Sequence, residues 1–161
     1  MSERTLGRRE VLLGADVAAG GVALTGVGAV PAAASDRHHG NRGLSGSWLV
    51  SRKDDPPGDT TPVKAVFSFG GGDVFVEHDI GPAGPPFTGT WARHGDGFKA
   101  TIWSGFPGDQ GGPGPSVRVR LRGSRHHDSI SGTYVADVFD PVSGDIVESD
   151  TGSFAGVPID A

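Results

Sequence analysis

The chain has 161 residues with 14 Lys+Arg against 19 Asp+Glu, a formal net charge of −5, which favours one domain and argues against the basic face of a nucleic-acid binder. The absence of cysteine excludes a disulfide framework, a zinc–thiolate site and a thiol nucleophile. Glycine (28) and proline (12) make up a quarter of the chain, a fraction that signals either disorder or dense turn punctuation.

Residues 1–34 read as a cleavable signal. Arg4, Arg8 and Arg9 form a basic start, Val11–Val30 is mostly Ala, Val, Leu and Gly, and Pro31-Ala32-Ala33-Ala34-Ser35 offers a cut at Ala34/Ser35. Gly7-Arg8-Arg9-Glu10-Val11-Leu12-Leu13 resembles the twin-arginine export motif. The competing reading is an uncleaved anchor, but six glycines and Asp16 make the segment weakly apolar for a membrane span. The expectation is an exported, secreted or envelope-associated protein with no stable membrane span after signal removal. Three basic and three acidic residues leave with the signal, so the mature charge stays at −5. Residues 35–43 are polar and aperiodic, a flexible leader, and 44–161 form the folded domain.

From there the apolar runs are short and repeatedly broken by Gly and Pro, with almost no helical spacing. Eight strands are predicted, over Ser47–Arg52, Pro62–Phe69, Asp73–His78, Phe87–Arg93, Gly97–Trp103, Ser116–Gly123, Ser129–Phe139 and Asp145–Gly156. Gly70-Gly71-Gly72 and His94-Gly95-Asp96-Gly97 suit tight hairpins. Asp54–Thr61, Gly81–Pro86 and Phe106–Pro115 are too polar or proline-rich for strands and are where mobility should lie. Alternation gives each strand two faces: Val117, Val119 and Leu121 oppose Arg118, Arg120 and Arg122, and Phe98, Ala100 and Ile102 oppose Lys99, Thr101 and Trp103. An apolar period of two with one wet face is antiparallel sheet. Eight such strands shed their exposed edges by closing into an all-β up-and-down barrel, with a β-sandwich as the alternative.

A small unit recurs: Gly46-Ser47-Trp48, Gly89-Thr90-Trp91, Gly132-Thr133-Tyr134 and Gly152-Ser153-Phe154. Glycine lets a strand bend or a neighbouring ring lie over it. Gly46-Ser47-Trp48 resembles the Gly-x-Trp motif of the lipocalin and calycin barrels. Gly89–Phe98 and the later Gly-hydroxyl-aromatic units resemble small secreted actinobacterial proteins of lipocalin-like or allene-oxide-cyclase-like barrel type. The first resemblance implies an eight-stranded barrel around a small apolar ligand, closed at one end by the tryptophan. The second admits a cyclase that shapes a bound polyene with few charged residues.

Candidate chemistry is sparse. His38, His39, His78, His94, His126 and His127 lack a spacing that places two imidazoles on one strand face, so neither metal nor other cofactor is expected. Glu77 shares a face with Phe75, and Glu148 shares one with Ile146, Asp150, Gly152 and Phe154. Turned inward, either would be desolvated into a usable acid or base; turned outward, both are solvated, and Asp137 poses the same choice. The catalytic candidates are Glu77, Glu148 and Tyr134. Arg118, Arg120 and Arg122 read as an outer face paired with acidic neighbours, or as a polyanion stripe. Trp48, Phe67, Phe69, Trp91, Arg93, Trp103 and Tyr134 are the candidate ligand-binding set, rings for burial and Tyr134 or Arg93 for orientation.

Three functions follow. The first is a non-catalytic barrel holding a small apolar or amphipathic molecule. The second is a cyclase or isomerase on the same barrel. The third is a filled barrel acting through its surface. The expected partner is a small hydrophobic molecule and not nucleic acid, with the oligomeric state left open.

Overall fold

The computed structural model describes residues 43–81, 84–108 and 111–160. The signal, the twin-arginine-like motif, the cleavage position and most of the leader lie outside the described residues. Eight strands follow in order: β1 (Gly46–Asp54), β2 (Val63–Phe69), β3 (Val74–Asp79), β4 (Phe87–His94), β5 (Gly97–Gly105), β6 (Ser116–His126), β7 (Ser129–Phe139) and β8 (Ile146–Pro158). Each pairs antiparallel with the next, and β1 pairs with β8. The sheet is therefore a closed up-and-down barrel rather than a sandwich, and it leaves no open edge.

The connections divide the barrel into two unlike ends. At one end β2–β3, β4–β5 and β6–β7 are joined by two to four residues, and at the other the loops run to six to ten. The short turns need unusual backbone: Gly95 has φ 63° and Gly72 has φ 68°, a region glycine enters without steric cost. The 106–115 loop, expected to be loose, is anchored at its start. Phe106 is buried, lies 6.3 Å from the Phe87 ring, and donates its N–H to the Pro115 carbonyl at 2.9 Å.

Inward side chains follow the two-residue period. Toward the short-turn end they are mostly rings. Phe69 meets Phe75 at 4.7 Å, Phe98 at 4.9 Å and Trp91 at 5.2 Å, all close to edge-on. Phe67 extends the cluster to Phe75 and Phe154, each at 5.3 Å. Such contacts add about 0.5–1.5 kcal/mol each beyond the area they bury. Glycines opposite these rings make the packing possible. Gly132 faces Phe154 across β7–β8, and a Cβ on Gly132 would lie 2.6 Å from Phe154 Cζ. Of the recurrent glycine–aromatic units, those at Gly132 and Gly152 are sites where a ring is laid across bare backbone. A Cβ on Gly89 would instead meet the β5 backbone, and one on Gly46 would meet nothing within 4 Å among the described residues.

Trp48 closes this end. Its indole Nε1 donates to the Leu44 carbonyl at 3.0 Å, and the Arg125 guanidinium stands 5.8 Å from its ring while bonding the Gly43 carbonyl at 3.2 Å.

Candidate functional site

The long-loop half of the interior is built differently. On β1, Trp48, Val50, Arg52 and Asp54 share the inward face, which puts a guanidinium inside the barrel. On β3, Phe75, Glu77 and Asp79 do the same. Between these strands, β2 contributes Ala65, paired with Val50 on one side and Asp79 on the other. Its methyl group leaves room for Arg52 to reach across. Arg52 Nε lies 3.0 Å from Glu77 Oε1, and Arg52 Nη2 lies 2.7 Å from Asp79 Oδ2 and 2.9 Å from Oδ1. Arg52 is 5% exposed and Glu77 3%.

Burial of Arg52 opposes its charge, but Glu77 and Asp79 outweigh that opposition and hold its pKa above the ordinary arginine value. A buried pair of this kind gains little over an apolar filling, because taking the charges out of water costs about as much as their attraction returns. Beside it Tyr134 donates its hydroxyl to Asp54. Gly152 faces Tyr134 directly across β7–β8, where a side chain would collide with the phenol. Ser104 faces inward near the mouth and bonds the Pro85 and Pro86 carbonyls at 3.3 and 3.2 Å.

The predicted site residues separate into four groups. Tyr134 and Glu77 both point into the polar half, on Asp54 and Arg52 respectively, so the outward, solvated alternative is wrong for Glu77. Glu148 is half-buried and shares the inward face of β8 with Gly152 and Phe154. Trp48, Phe67, Phe69 and Trp91 belong to the ring-packed half, where Trp91 Nε1 is tied to the Gly70 carbonyl at 3.1 Å.

Two residues leave the proposed lining altogether. Trp103 is 43% exposed on the outer face of β5, because it alternates with the buried Ile102 and Ser104. Arg93 has inward parity but sits at the end of β4 beyond the packed rings, and is exposed. Asp137 is buried on the outer face, covered by Arg118 at 2.8 Å, Arg120 at 3.0 Å and Ser149 at 2.9 Å. Burial alone would raise its pKa; the hydrogen bonds of Arg118 and Ser149 and the two guanidinium charges hold it below the ordinary carboxylate range.

The residues not singled out beforehand are Arg52, Asp54 and Asp79. The signal for Arg52 was its parity with Trp48 and Val50, and for Asp79 its parity with Phe75. Among the described residues, no group of three or more His, Asp or Glu has the geometry to hold a metal ion.

No family profile matches the chain, and no curated protein matches it. Among solved structures, the chain is similar to one described as a rhizavidin–biotin complex. The two are 9% identical with a TM-score of 0.45, over 74% of this chain and 100% of that one. A likeness at that level says nothing of what this chain binds.

Proposed function

We propose that the protein is a non-catalytic binding barrel that takes a small amphipathic molecule from its long-loop end. One observation carries this reading. The interior is ring-packed toward the short turns, yet toward the long loops its β1–β3 side holds Arg52, Glu77, Asp79 and Asp54, with Tyr134 beside them, next to the apolar Phe87, Ile102, Val117, Val119 and Val138 of β4–β7. Apolar filling would stabilise the barrel at least as well as this ion network, so the polar half has a use other than stability. Fixed polar groups at the end of an apolar interior suit orientation of a ligand's polar end. A ligand site is confined to that half by the rings beneath it.

The cyclase reading has the inward Glu77 and the Tyr134–Asp54 pair in its favour. Arg52 engages Glu77 directly, which suits a positioning role better than proton transfer. We further propose export through residues 1–34, with the mature protein secreted or held at the envelope.

Native mass spectrometry of protein purified from its own host tests the binding reading. A co-purifying small molecule, lost in Tyr134→Phe or Arg52→Met variants that remain folded, is the expected result. A bare barrel, together with no thermal shift from a panel of amphipathic small molecules, sinks it. A molecule returned chemically altered would instead favour the cyclase.

A further inference from the structure

The outer face of β5, β6 and β7 is unlike the rest of this acidic chain. Cross-strand rows pair Lys99 with Arg122, Thr101 with Arg120 and Trp103 with Arg118. The next strand continues them with Thr133, Val135 and Asp137. On this face four cations, Lys99, Arg118, Arg120 and Arg122, meet one carboxylate, Asp137. Asp137 is already committed beneath Arg118 and Arg120. Among the described residues, neither Lys99 nor Arg122 takes part in an ion pair. Like charges set directly opposite each other weaken a sheet, so this arrangement works against the barrel unless something negative covers it.

Trp103 stands at one end of the cationic rows. Arg118 lies 5.6 Å from its ring centroid and 5.1 Å from that of Phe139, and the two rings are 5.2 Å apart. Arg118 is also tied to Asp137, so the indole is braced by an immobilised guanidinium while remaining 43% exposed. Exposed threonines surround these groups: Thr88 and Thr90 on β4, Thr101 on β5 and Thr133 on β7. Arg120 and Arg122 are spaced ~7 Å along one strand, and Trp103 stands ~14 Å along from Lys99.

We propose that this face binds an acidic polysaccharide. Sugar rings stack their apolar faces on Trp103, threonine hydroxyls exchange hydrogen bonds with sugar hydroxyls, and Lys99, Arg120 and Arg122 take the anionic groups. The face carries a single well-exposed ring, whereas single-stranded nucleic acid is held on several stacking rings. The surface is sheet, with no protruding apolar segment to enter a bilayer. This site is separate from the barrel interior and stands whether or not the interior takes a ligand.

Fluorescently labelled polygalacturonate is the probe, titrated against the full chain. Saturable binding is expected, with neutral dextran not bound and affinity falling about tenfold between about 50 and 200 mM salt. The double variant Lys99→Gln/Arg122→Gln removes a like-charge pair from an exposed surface. It should keep or raise its melting temperature while losing about tenfold in affinity. Trp103→Phe, checked for an unchanged melting temperature, should weaken binding about threefold at every salt concentration. The proposal is overturned by no binding, by equal binding of dextran, or by unchanged affinity in the double variant. Tighter binding of poly(dT) or of phosphatidylserine vesicles than of polygalacturonate overturns it equally.

Discussion

At the short-turn end the barrel interior is six rings in mutual contact; at the long-loop end β1 and β3 carry a guanidinium between two carboxylates, with a tyrosine and an aspartate beside it, while β4–β7 contribute the apolar Phe87, Ile102, Val117, Val119 and Val138. The rings interlock over opposing glycines and need no outside partner, so every ångström of fit there serves stability. The charges satisfy one another at a desolvation cost that apolar side chains would avoid. The difference teaches that one side of the long-loop half departs from the packing that serves stability in the rest of the core. The boundary between the two runs across the strands, near the level of Ala65 and Tyr134.

The largest expected effect comes from the ring half. Phe67→Ala removes a fully buried ring that touches both Phe75 and Phe154, and should destabilise the barrel by about 4–5 kcal/mol in a denaturant titration. A loss near 1 kcal/mol would mean that the ring half is loosely filled and the contrast false.

Next is Arg52→Ala, which leaves Glu77 and Asp79 without their common cation and should cost about 3–4 kcal/mol. The paired change Arg52→Met/Glu77→Leu should recover more than half of that. Equal losses in the single and double variants would show that the network stabilises the fold, contrary to the division drawn between the halves.

On the outer face, Asp137→Asn removes a buried carboxylate from Arg118, Arg120 and Ser149 and should cost about 2 kcal/mol. Because the folded pKa of Asp137 is depressed, its contribution is present above the unfolded carboxylate value of ~3.9 and disappears as pH falls through the lower folded value. The wild-type and variant acid-unfolding curves should therefore converge below that range. Curves that remain parallel to the lowest pH would contradict the assignment.

The smallest expected effect is that of Tyr134→Phe. It removes the hydroxyl bonded to Asp54 but leaves the ring over Gly152, so stability should fall by about 1 kcal/mol. A ligand, if its polar end meets this hydroxyl, should lose much more affinity than the fold loses stability.

Strand number and order were legible because alternation and glycine punctuation are local. β7 was predicted with its observed limits, and the other strands extend or shift by one to three residues at their ends, as in β6, which reaches His126. Tight hairpins carry an extended strand up to the turn residue itself. The orientation of Glu77 stayed open because β3 offers apolar residues on both faces: Phe75 inside, but also Val74, which is exposed. Trp103 shows the converse. Its parity with Lys99 and Thr101 places it outside, where strand geometry outranks aromatic character. The Arg52–Glu77 pair was not legible, because β2 separates the two strands and only the barrel's curvature, with a methyl at Ala65, brings the side chains together. Interior charge therefore had a sequence signal in parity, but its pairing did not.

The described chain enters the barrel past Leu44 and Trp48 and leaves it after β8, where the Ile159 N–H bonds the Ser47 carbonyl at 2.9 Å. Both crossings are at the short-turn end. A tether attached to either side of the barrel, whether a lipid, a fusion partner or a resin, would thus hold the molecule by its ring-packed base and present the long loops outward. The same geometry recommends terminal immobilisation for any binding measurement on the interior, since the polar mouth faces away from the support.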